Sequence, residues 1–235
     1  MLQWPAEGFF RWQQLDSYMD HDSFPVELIS WKKSYHLAKK LSELIRTSGY
    51  QPEIVIAIGR GGYVPARVVC DYLLIDRLTS IKIEHWGVAA EIKDQAIIRY
   101  PLAIDIRDYK VLVIDDVTDT GETLQACTGY LEEFKPGEIR TGVLQHKISS
   151  SFTPDYFADL VRQWHWIVYP WAIFEDMTGF CEKILTRDAI SPKKIINSLE
   201  SRFGITIDEI MLDEILQVLV EMGRVIKENG CYRTS

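Results

Sequence analysis

The sequence predicts an α/β fold with a mainly parallel sheet, because short apolar runs alternate with segments of helical periodicity. The apolar runs are predicted strands at residues 54–58, 81–86, 111–114 and 139–146. The periodic segments are predicted helices at residues 31–47, 65–74 and 123–134. Residues 156–164 are expected to be irregular or a short helix. Since polar loops follow the strands, a ligand site is expected at the carboxyl edge of the sheet.

The composition of the 235-residue chain is that of an ordinary soluble protein, with 47% hydrophobic and 26% charged residues. A net charge of −8 argues against a broad surface for nucleic acid or an anionic membrane. The N-terminus lacks a signal-peptide pattern, and the longest apolar run, residues 166–174, is too short to span a membrane. The four cysteines are scattered without metal-like spacing, so reduced thiols and a cytoplasmic location are expected.

Residues 111–124, VLVIDDVTDTGETL, combine a strand, two acids, a loop of hydroxyls and a helix start. Asp115 and Asp116 follow the strand directly, Asp119 lies in the middle of the loop, and Gly121 lies near its end. Backbone N–H groups at a helix start can cradle a phosphate, and the hydroxyls can add hydrogen bonds. Two adjacent carboxylates would repel that phosphate unless they hold sugar hydroxyls or a metal. The stretch therefore predicts a ligand with a phosphate, a diol and a divalent cation.

Residues 59–62, Gly-Arg-Gly-Gly, follow the predicted strand at 54–58. Glycine at three of four positions permits backbone geometry that other residues resist. An arginine among the glycines can grip a diphosphate through two parallel hydrogen bonds. Taken alone, the segment fits a plain tight turn equally well. Its combination with the acidic stretch at 111–124 favours the binding of a diphosphate.

Residues 115–123 resemble the phosphoribosyl-diphosphate (PRPP) motif of the type I phosphoribosyltransferases. In that motif two acids precede two variable residues, and then come an acid or alanine, Thr, Gly, any residue and Thr. The run LISWKKSYHLAKKLSELI at residues 28–45 resembles the opening of the bacterial xanthine-guanine enzymes of this family. The run WIVYPW at residues 166–171 resembles the base-binding segment of the 6-oxopurine (xanthine, guanine and hypoxanthine) phosphoribosyltransferases. The resemblance covers roughly residues 26–177.

The resemblance implies the doubly wound, mainly parallel sheet of this family with a mobile flap. Closure of the flap would keep water away from a cationic intermediate. The flap is expected at residues 89–100, and its return strand is expected at residues 102–106.

The resemblance also assigns roles in PRPP binding. Asp115 and Asp116 would hold the ribose hydroxyls, with Asp116 nearer a Mg2+ ion, and Asp119 would be the catalytic general base for the purine N7 proton. The 5′-phosphate loop would be lined by Thr118, Thr120, Gly121, Glu122 and Thr123. The pyrophosphate would be held by Gly59, Arg60 and Gly61.

Three residues are implied in binding the base. Lys147 would meet the purine O6, Trp166 would stack on the ring, and the backbone of Ile167 would read its edge. The alternatives are a surface lysine and a core aromatic residue. The chain departs from the family at residues 171–173, where an aspartate is expected and none is present. Glu175 and Asp176, slightly later, are the candidates to replace it.

The pattern changes near residue 185. We predict a phosphoribosyltransferase domain with an N-terminal extension at residues 1–186 and a small C-terminal α+β module at residues 187–235. A helix start at Ser191 and Pro192, a second helix, and the hairpin signal Asn229-Gly230 resemble a winged-helix module. Its seven basic and eight acidic residues favour packing or dimer contacts over DNA binding.

The sequence thus predicts a purine-salvage enzyme that transfers phosphoribosyl from PRPP to a 6-oxopurine, giving the nucleoside 5′-monophosphate and pyrophosphate. The expected partners are PRPP, Mg2+, the purine and the product, in a homodimer or homotetramer with no membrane and no nucleic acid. Two alternatives remain open. One is a PRPP-sensing transcriptional regulator with a phosphoribosyltransferase-like domain, and the other is a phosphoribosyltransferase that acts on another nucleobase.

Overall fold

The structure is a computed structural model, and it describes residues 23–86 and 92–235. Most of the predicted N-terminal extension, and flap residues 89–91, lie outside the described residues. The chain divides into two compact units. The sheet unit contains residues 29–164 and 169–171, and the tail unit contains the described residues 23–28, 165–168 and 172–235.

The secondary structure alternates between strands and helices along most of the chain. The strands are β1 Val26–Leu28, β2 Ile54–Gly59, β3 Leu78–Trp86, β4 Ile92–Tyr100, β5 Lys110–Thr118, β6 Glu138–Lys147, β7 Tyr156–Val161, β8 Trp166–Val168, β9 Val225–Glu228 and β10 Cys231–Thr234. The helices are α1 Trp31–Thr47, α2 Tyr63–Leu73, α3 Glu122–Glu132, α4 Ile173–Ile184, α5 Pro192–Phe203 and α6 Glu209–Glu221. Within the described ranges, no helix has both the length and the hydropathy needed to cross a bilayer.

Six strands form the central sheet of the sheet unit, in the order β4-β3-β2-β5-β6-β7. The strands from β3 to β7 in this order are parallel, and β4 runs antiparallel to β3 at one edge. The central strand β2 is buried along its whole length, as a strand covered on both faces requires. In β5, four buried apolar residues precede the acids. The predicted α/β fold with a mainly parallel sheet is confirmed.

Two predicted elements of the sheet unit are wrong. Residues 156–161 form the edge strand β7, because pairing with β6 outweighs the poor strand propensity of Asp159. Residues 102–106 form no strand, and the side chains of Leu102 and Ile106 instead belong to the buried hydrophobic core. Strand β4, residues Ile92–Tyr100, lies within the predicted flap at residues 89–100 and pairs antiparallel with β3. The mobility of the flap stays a prediction.

The tail unit combines a short parallel pair, three helices and a hairpin. β1 pairs with β8, with Glu27 opposite Ile167. The rings of Phe24, Phe180 and Phe203 lie with centroids 4.8 to 6.0 Å apart and join the chain before β1 to α4 and α5. Helix α4 was not predicted. The two later helices and the β9–β10 hairpin are present where the sequence places them. The winged-helix resemblance and the boundary at 186/187 stay predictions.

Close backbone packing fixes the turn between β2 and α2. A Cβ atom on Gly62 would lie 2.8 Å from the carbonyl oxygen of Ile58 and closer still to that of Ile114. Both obstacles are backbone atoms of neighbouring strands, so they cannot yield by a side-chain rotation. The site loop that contains Gly62 can therefore approach the sheet only because this residue has no side chain.

We expect Gly62→Ala to lower the free energy of unfolding by about 1–3 kcal/mol, because the new methyl group overpacks a backbone crossing. The matched control is Gly129→Ala inside α3, where a Cβ meets no atom within 4 Å. There, alanine should stabilise the helix by about 0.5–1 kcal/mol. Urea unfolding measures both variants, and equal stabilities would contradict the packing at Gly62.

Candidate active site

The two polar loops predicted from sequence leave the sheet at the same edge, because β2 and β5 are neighbouring parallel strands. Gly61 lies so close to Asp116 that a Cβ on Gly61 would overlap the Asp116 carboxylate group. The structure therefore brings the glycine-rich turn and the acidic pair together. The peptide bond between Gly59 and Arg60 is cis, and the side chain of Arg60 is exposed.

The acidic pair, Asp115 and Asp116, lies near the end of β5. The backbone N–H of Asp116 donates to Asp115 Oδ1 at 2.9 Å, and that of Val117 donates to Asp116 Oδ1 at 2.8 Å. Burial, and then the charge of Asp116, raise the pKa of Asp115 well above its ordinary range. Burial raises the pKa of Asp116 to about 6, although a hydrogen bond from Trp171 acts in the opposite direction. Hydroxyl donors or a cation would stabilise the ionised pair.

The donor set fits a magnesium ion shared with a phosphorylated ligand. Within residues 23–86 and 92–235, no group of three or more His, Cys, Asp and Glu side chains could hold a metal ion by itself. Mg2+ is commonly bound by one or two carboxylates together with substrate phosphates and water. Asp115 and Asp116 can supply the carboxylates, and because burial raises the pKa of both, a bound cation would favour their ionised forms.

The loop between β5 and α3 has the features of a phosphate site. Gly121 has a φ of +92°, and a Cβ there would lie 2.6 Å from that of Phe152, so the position requires glycine. The carbonyl oxygen of Thr120 accepts hydrogen bonds from the N–H and hydroxyl of Ser151, at 2.9 and 2.8 Å. The buried hydroxyl of Thr118 has no hydrogen-bond partner among the described residues. This loop, which is hydrogen-bonded to Ser151 and carries the buried hydroxyl of Thr118, therefore leads directly into the N-terminus of the 11-residue helix α3.

A buried ion pair joins the loop to the end of β6. Lys147 Nζ donates to Asp119 Oδ2 at 2.5 Å, and the two side chains are 2% and 7% exposed. Burial lowers the pKa of Lys147, and the charge of Asp119 opposes this effect. The indole N–H of Trp164 donates to the other oxygen, Asp119 Oδ1, at 3.2 Å. Lys147 Nζ also lies 4.7 Å from the centre of the Trp164 ring. An acceptor and a cationic donor thus lie side by side.

Two aromatic residues that the sequence did not single out contact Asp116. The indole N–H of Trp171 donates to Asp116 Oδ2 at 3.3 Å, and the hydroxyl of Tyr169 lies 3.0 Å from the carbonyl oxygen of Asp116. The rings of Tyr169 and Trp171 stack with centroids 4.8 Å apart and planes 3° apart. The segment WIVYPW marked this region, but its pattern did not indicate which aromatic side chain meets an acid.

The predicted base-binding residues fall in different units. Lys147 belongs to the sheet unit, whereas Trp166 and Ile167 lie on β8 in the tail unit. There, the indole N–H of Trp166 donates at 3.3 Å to Asp176 Oδ1, in the first turn of α4. Asp176 is buried, and Glu175 is partly exposed. The roles of Trp166 and Ile167 stay predictions.

The glycine-arginine turn, the acidic pair and the hydroxyl-rich loop thus meet at one edge of the sheet. Residues 27–173 match the phosphoribosyl transferase domain, which is more than half of the chain. The protein therefore belongs to the phosphoribosyltransferase family and is a transferase. Within this family it resembles the 6-oxopurine enzymes.

Individual relatives agree with this assignment. The chain is 30% identical over 149 residues to a xanthine-guanine phosphoribosyltransferase of Nitratidesulfovibrio vulgaris, covering 63% of this chain and 83% of the relative. It is 29% identical to a purine phosphoribosyltransferase of Pyrococcus horikoshii, with a TM-score of 0.54 over 62% of this chain and 93% of that one. A hypothetical protein from Neisseria gonorrhoeae with bound ppGpp is 25% identical, with a TM-score of 0.55 over 66% and 98% of the two chains.

The raised pKa values of the acidic pair predict that these residues destabilise the fold. When folding raises the pKa of a carboxyl group, the free energy of unfolding of the protein falls as the pH rises from the unfolded pKa to the folded pKa of that group. We expect the double variant Asp115→Asn, Asp116→Asn to unfold at a higher temperature than the wild type at about pH 8, with the gain lost near about pH 4. The same variant should lose Mg2+-dependent PRPP binding.

Calorimetry of thermal unfolding and of PRPP binding measures both effects. The exposed residue Asp76 provides the control, since Asp76→Asn should change neither quantity. PRPP affinity equal to that of the wild type in the double variant would contradict the assignment of the acidic pair.

Proposed function

We propose that this phosphoribosyltransferase joins PRPP to a 6-oxopurine base and releases the nucleoside 5′-monophosphate and pyrophosphate. The observation that carries this proposal is the Asp119–Lys147 pair, in which a buried carboxylate lies 2.5 Å from a buried ammonium. Together they present one acceptor and one cationic donor at the carboxyl edge of the sheet.

This pairing matches one edge of a 6-oxopurine. In hypoxanthine, guanine and xanthine, N7 can carry a proton for the carboxylate, and the neighbouring O6 accepts a hydrogen bond from the ammonium. Adenine carries an amino group at the same position, and this donor would face the donor of Lys147. The pair therefore favours a 6-oxopurine over adenine. Lys147 must exchange Asp119 for O6 when the base binds, which frees Asp119 Oδ2 for the N7 proton.

The remaining loops suit PRPP. The ribose hydroxyls lie against Asp115 and Asp116, the 5′-phosphate lies in the loop at residues 118–123, and the pyrophosphate lies against residues 59–61. Mg2+ beside Asp116 would neutralise charge on the leaving pyrophosphate. As the bond from the ribose carbon to pyrophosphate breaks, the carbon gains positive charge, the purine nitrogen attacks it, and Asp119 receives the N7 proton.

The resemblance supplies the other parts of the proposal. Trp166 would stack on the base and the backbone of Ile167 would read its edge, with Asp176 holding the Trp166 indole through the hydrogen bond at 3.3 Å. Segment 89–100 would close over the site. Purine salvage is the corresponding cellular role, and a homodimer or homotetramer is the corresponding assembly.

The proposal is tested by incubating the protein with PRPP, Mg2+ and each nucleobase, and by detecting the monophosphate. Hypoxanthine, guanine or xanthine should be converted, and adenine and pyrimidines should not. Lys147→Met should raise KM for the 6-oxopurine by about 10–100-fold, because O6 loses a charged donor. The exposed lysine of α1, in Lys40→Met, is the control.

Conversion of adenine or a pyrimidine with no turnover of 6-oxopurines would contradict the proposal. Binding of PRPP without turnover of any base would instead favour the PRPP-sensing regulator.

A second candidate function is control of the same site by ppGpp. The Neisseria gonorrhoeae protein that binds ppGpp aligns with 66% of this chain. The compound joins a guanine, which suits the Asp119–Lys147 pair, to diphosphate groups, which suit the loop at residues 59–61. We expect ppGpp to inhibit competitively against PRPP in steady-state kinetics. Unchanged rates at saturating ppGpp would remove this candidate.

A further inference from the structure

Trp164 contacts both members of the Asp119–Lys147 pair. It lies in the sheet unit, between β7 and β8, and its indole N–H donates to Asp119 Oδ1 at 3.2 Å. Lys147 Nζ occupies the other oxygen, Oδ2, at 2.5 Å and lies 4.7 Å from the centre of the indole ring. Each oxygen of the predicted general base thus has its own donor, and the two donors differ in kind.

We propose that Trp164 is a positioning residue that holds Asp119 Oδ1, so that Oδ2 is the oxygen that exchanges Lys147 for the purine N7 proton. The inference rests on the proposed function, and it adds a residue that the PRPP motif and the base-binding run do not include. It concerns the orientation of the carboxylate, since Trp164 is assigned no contact with the base.

The difference between the donors determines which one leaves. The ammonium of Lys147 sits on a flexible four-carbon stem with three equivalent hydrogens, so it can turn towards a purine O6. The indole of Trp164 is rigid, with two side-chain torsions and a single N–H donor. The indole bond therefore persists while the lysine bond exchanges. A carboxylate held at one oxygen keeps its plane fixed, and its second oxygen is directed at the proton that it must accept.

The indole ring has a second effect on the exchange. A cation over an aromatic face is attracted by the ring electrons, most strongly for tryptophan. When Lys147 leaves Asp119 Oδ2, its ammonium keeps a favourable contact with Trp164. The same side chain thus stabilises the lysine during the exchange and holds the carboxylate that remains.

Two substitutions separate the hydrogen bond from the packing. Trp164→His keeps an N–H at the equivalent position of a five-membered ring, and Trp164→Phe keeps a larger apolar ring without a donor. We expect Trp164→Phe to lower kcat about 10-fold, the effect of losing one hydrogen bond to a charged group. Trp164→His, assayed at about pH 8 where imidazole is neutral, should retain more than half of the wild-type kcat. KM for PRPP should be unchanged in both.

The two possible roles of Trp164 predict opposite rankings of the Trp164→His and Trp164→Phe variants by kcat. If Trp164 only fills space, the phenylalanine variant should be the more active one, and this order would overturn the inference. A raised KM for the base with an unchanged kcat would also overturn it, because Trp164 would then be a base contact. Calorimetric PRPP binding by each variant shows that its site is folded.

If the wild type converts no 6-oxopurine, the proposed function fails. If the wild type is active and both variants match it, only the role of Trp164 fails.

Discussion

The buried ion pair between Asp119 and Lys147 is the interaction on which the site depends. Removing two charges from water costs several kcal/mol per ion, and their attraction offsets this cost only with good geometry and further hydrogen bonds. Both conditions are met, because Lys147 donates to one carboxylate oxygen and Trp164 donates to the other. A buried pair of this kind is weak evidence for stability, and its place beside the loop at residues 118–123 supports the functional role proposed for it.

The order and register of the sheet create this pair. β5 and β6 are parallel neighbours in which Thr118 pairs with His146, so Asp119, the first residue after β5, lies beside Lys147, the last residue of β6. On the other side of β5, the missing side chains of Gly61 and Gly62 let the turn after β2 approach Asp116. The Asp119–Lys147 ion pair, the acidic pair and the glycine-rich turn therefore lie at the carboxyl ends of three adjacent strands, where α/β proteins bind ligands.

Local patterns predicted much of this arrangement. The buried strands were recognisable as apolar runs. Two helices begin at serine caps: the side chain of Ser30 accepts a hydrogen bond from the backbone N–H of Lys33 in α1, and that of Ser191 accepts one from the backbone N–H of Lys194 in α5. Strand β7 was missed because Asp159 is a poor strand former, and only its pairing with β6 reveals its conformation. Helix α4 was missed because it follows directly on an aromatic run and contains Gly179.

Local sequence patterns also predicted only part of the site. The acids and glycines of the PRPP motif were predicted from their spacing, but their aromatic partners were not. Trp171 contacts Asp116 across 55 positions, and Trp164 contacts Asp119 across 45, so no local period connects them. Three tryptophans fall within residues 164–171, and the fold alone decides that two of them donate to acids of the sheet unit.

The most direct measurement is the turnover of Asp119→Asn with the 6-oxopurine that the wild type converts fastest. Asparagine keeps the shape of the side chain and can still accept the Trp164 hydrogen bond, but it cannot take the N7 proton. We expect kcat to fall about 10²–10⁴-fold, the range for a positioned acid or base, while PRPP affinity measured by calorimetry stays unchanged. Turnover at the wild-type rate with every purine would contradict the catalytic role of Asp119 and make it a residue that only orders the loop.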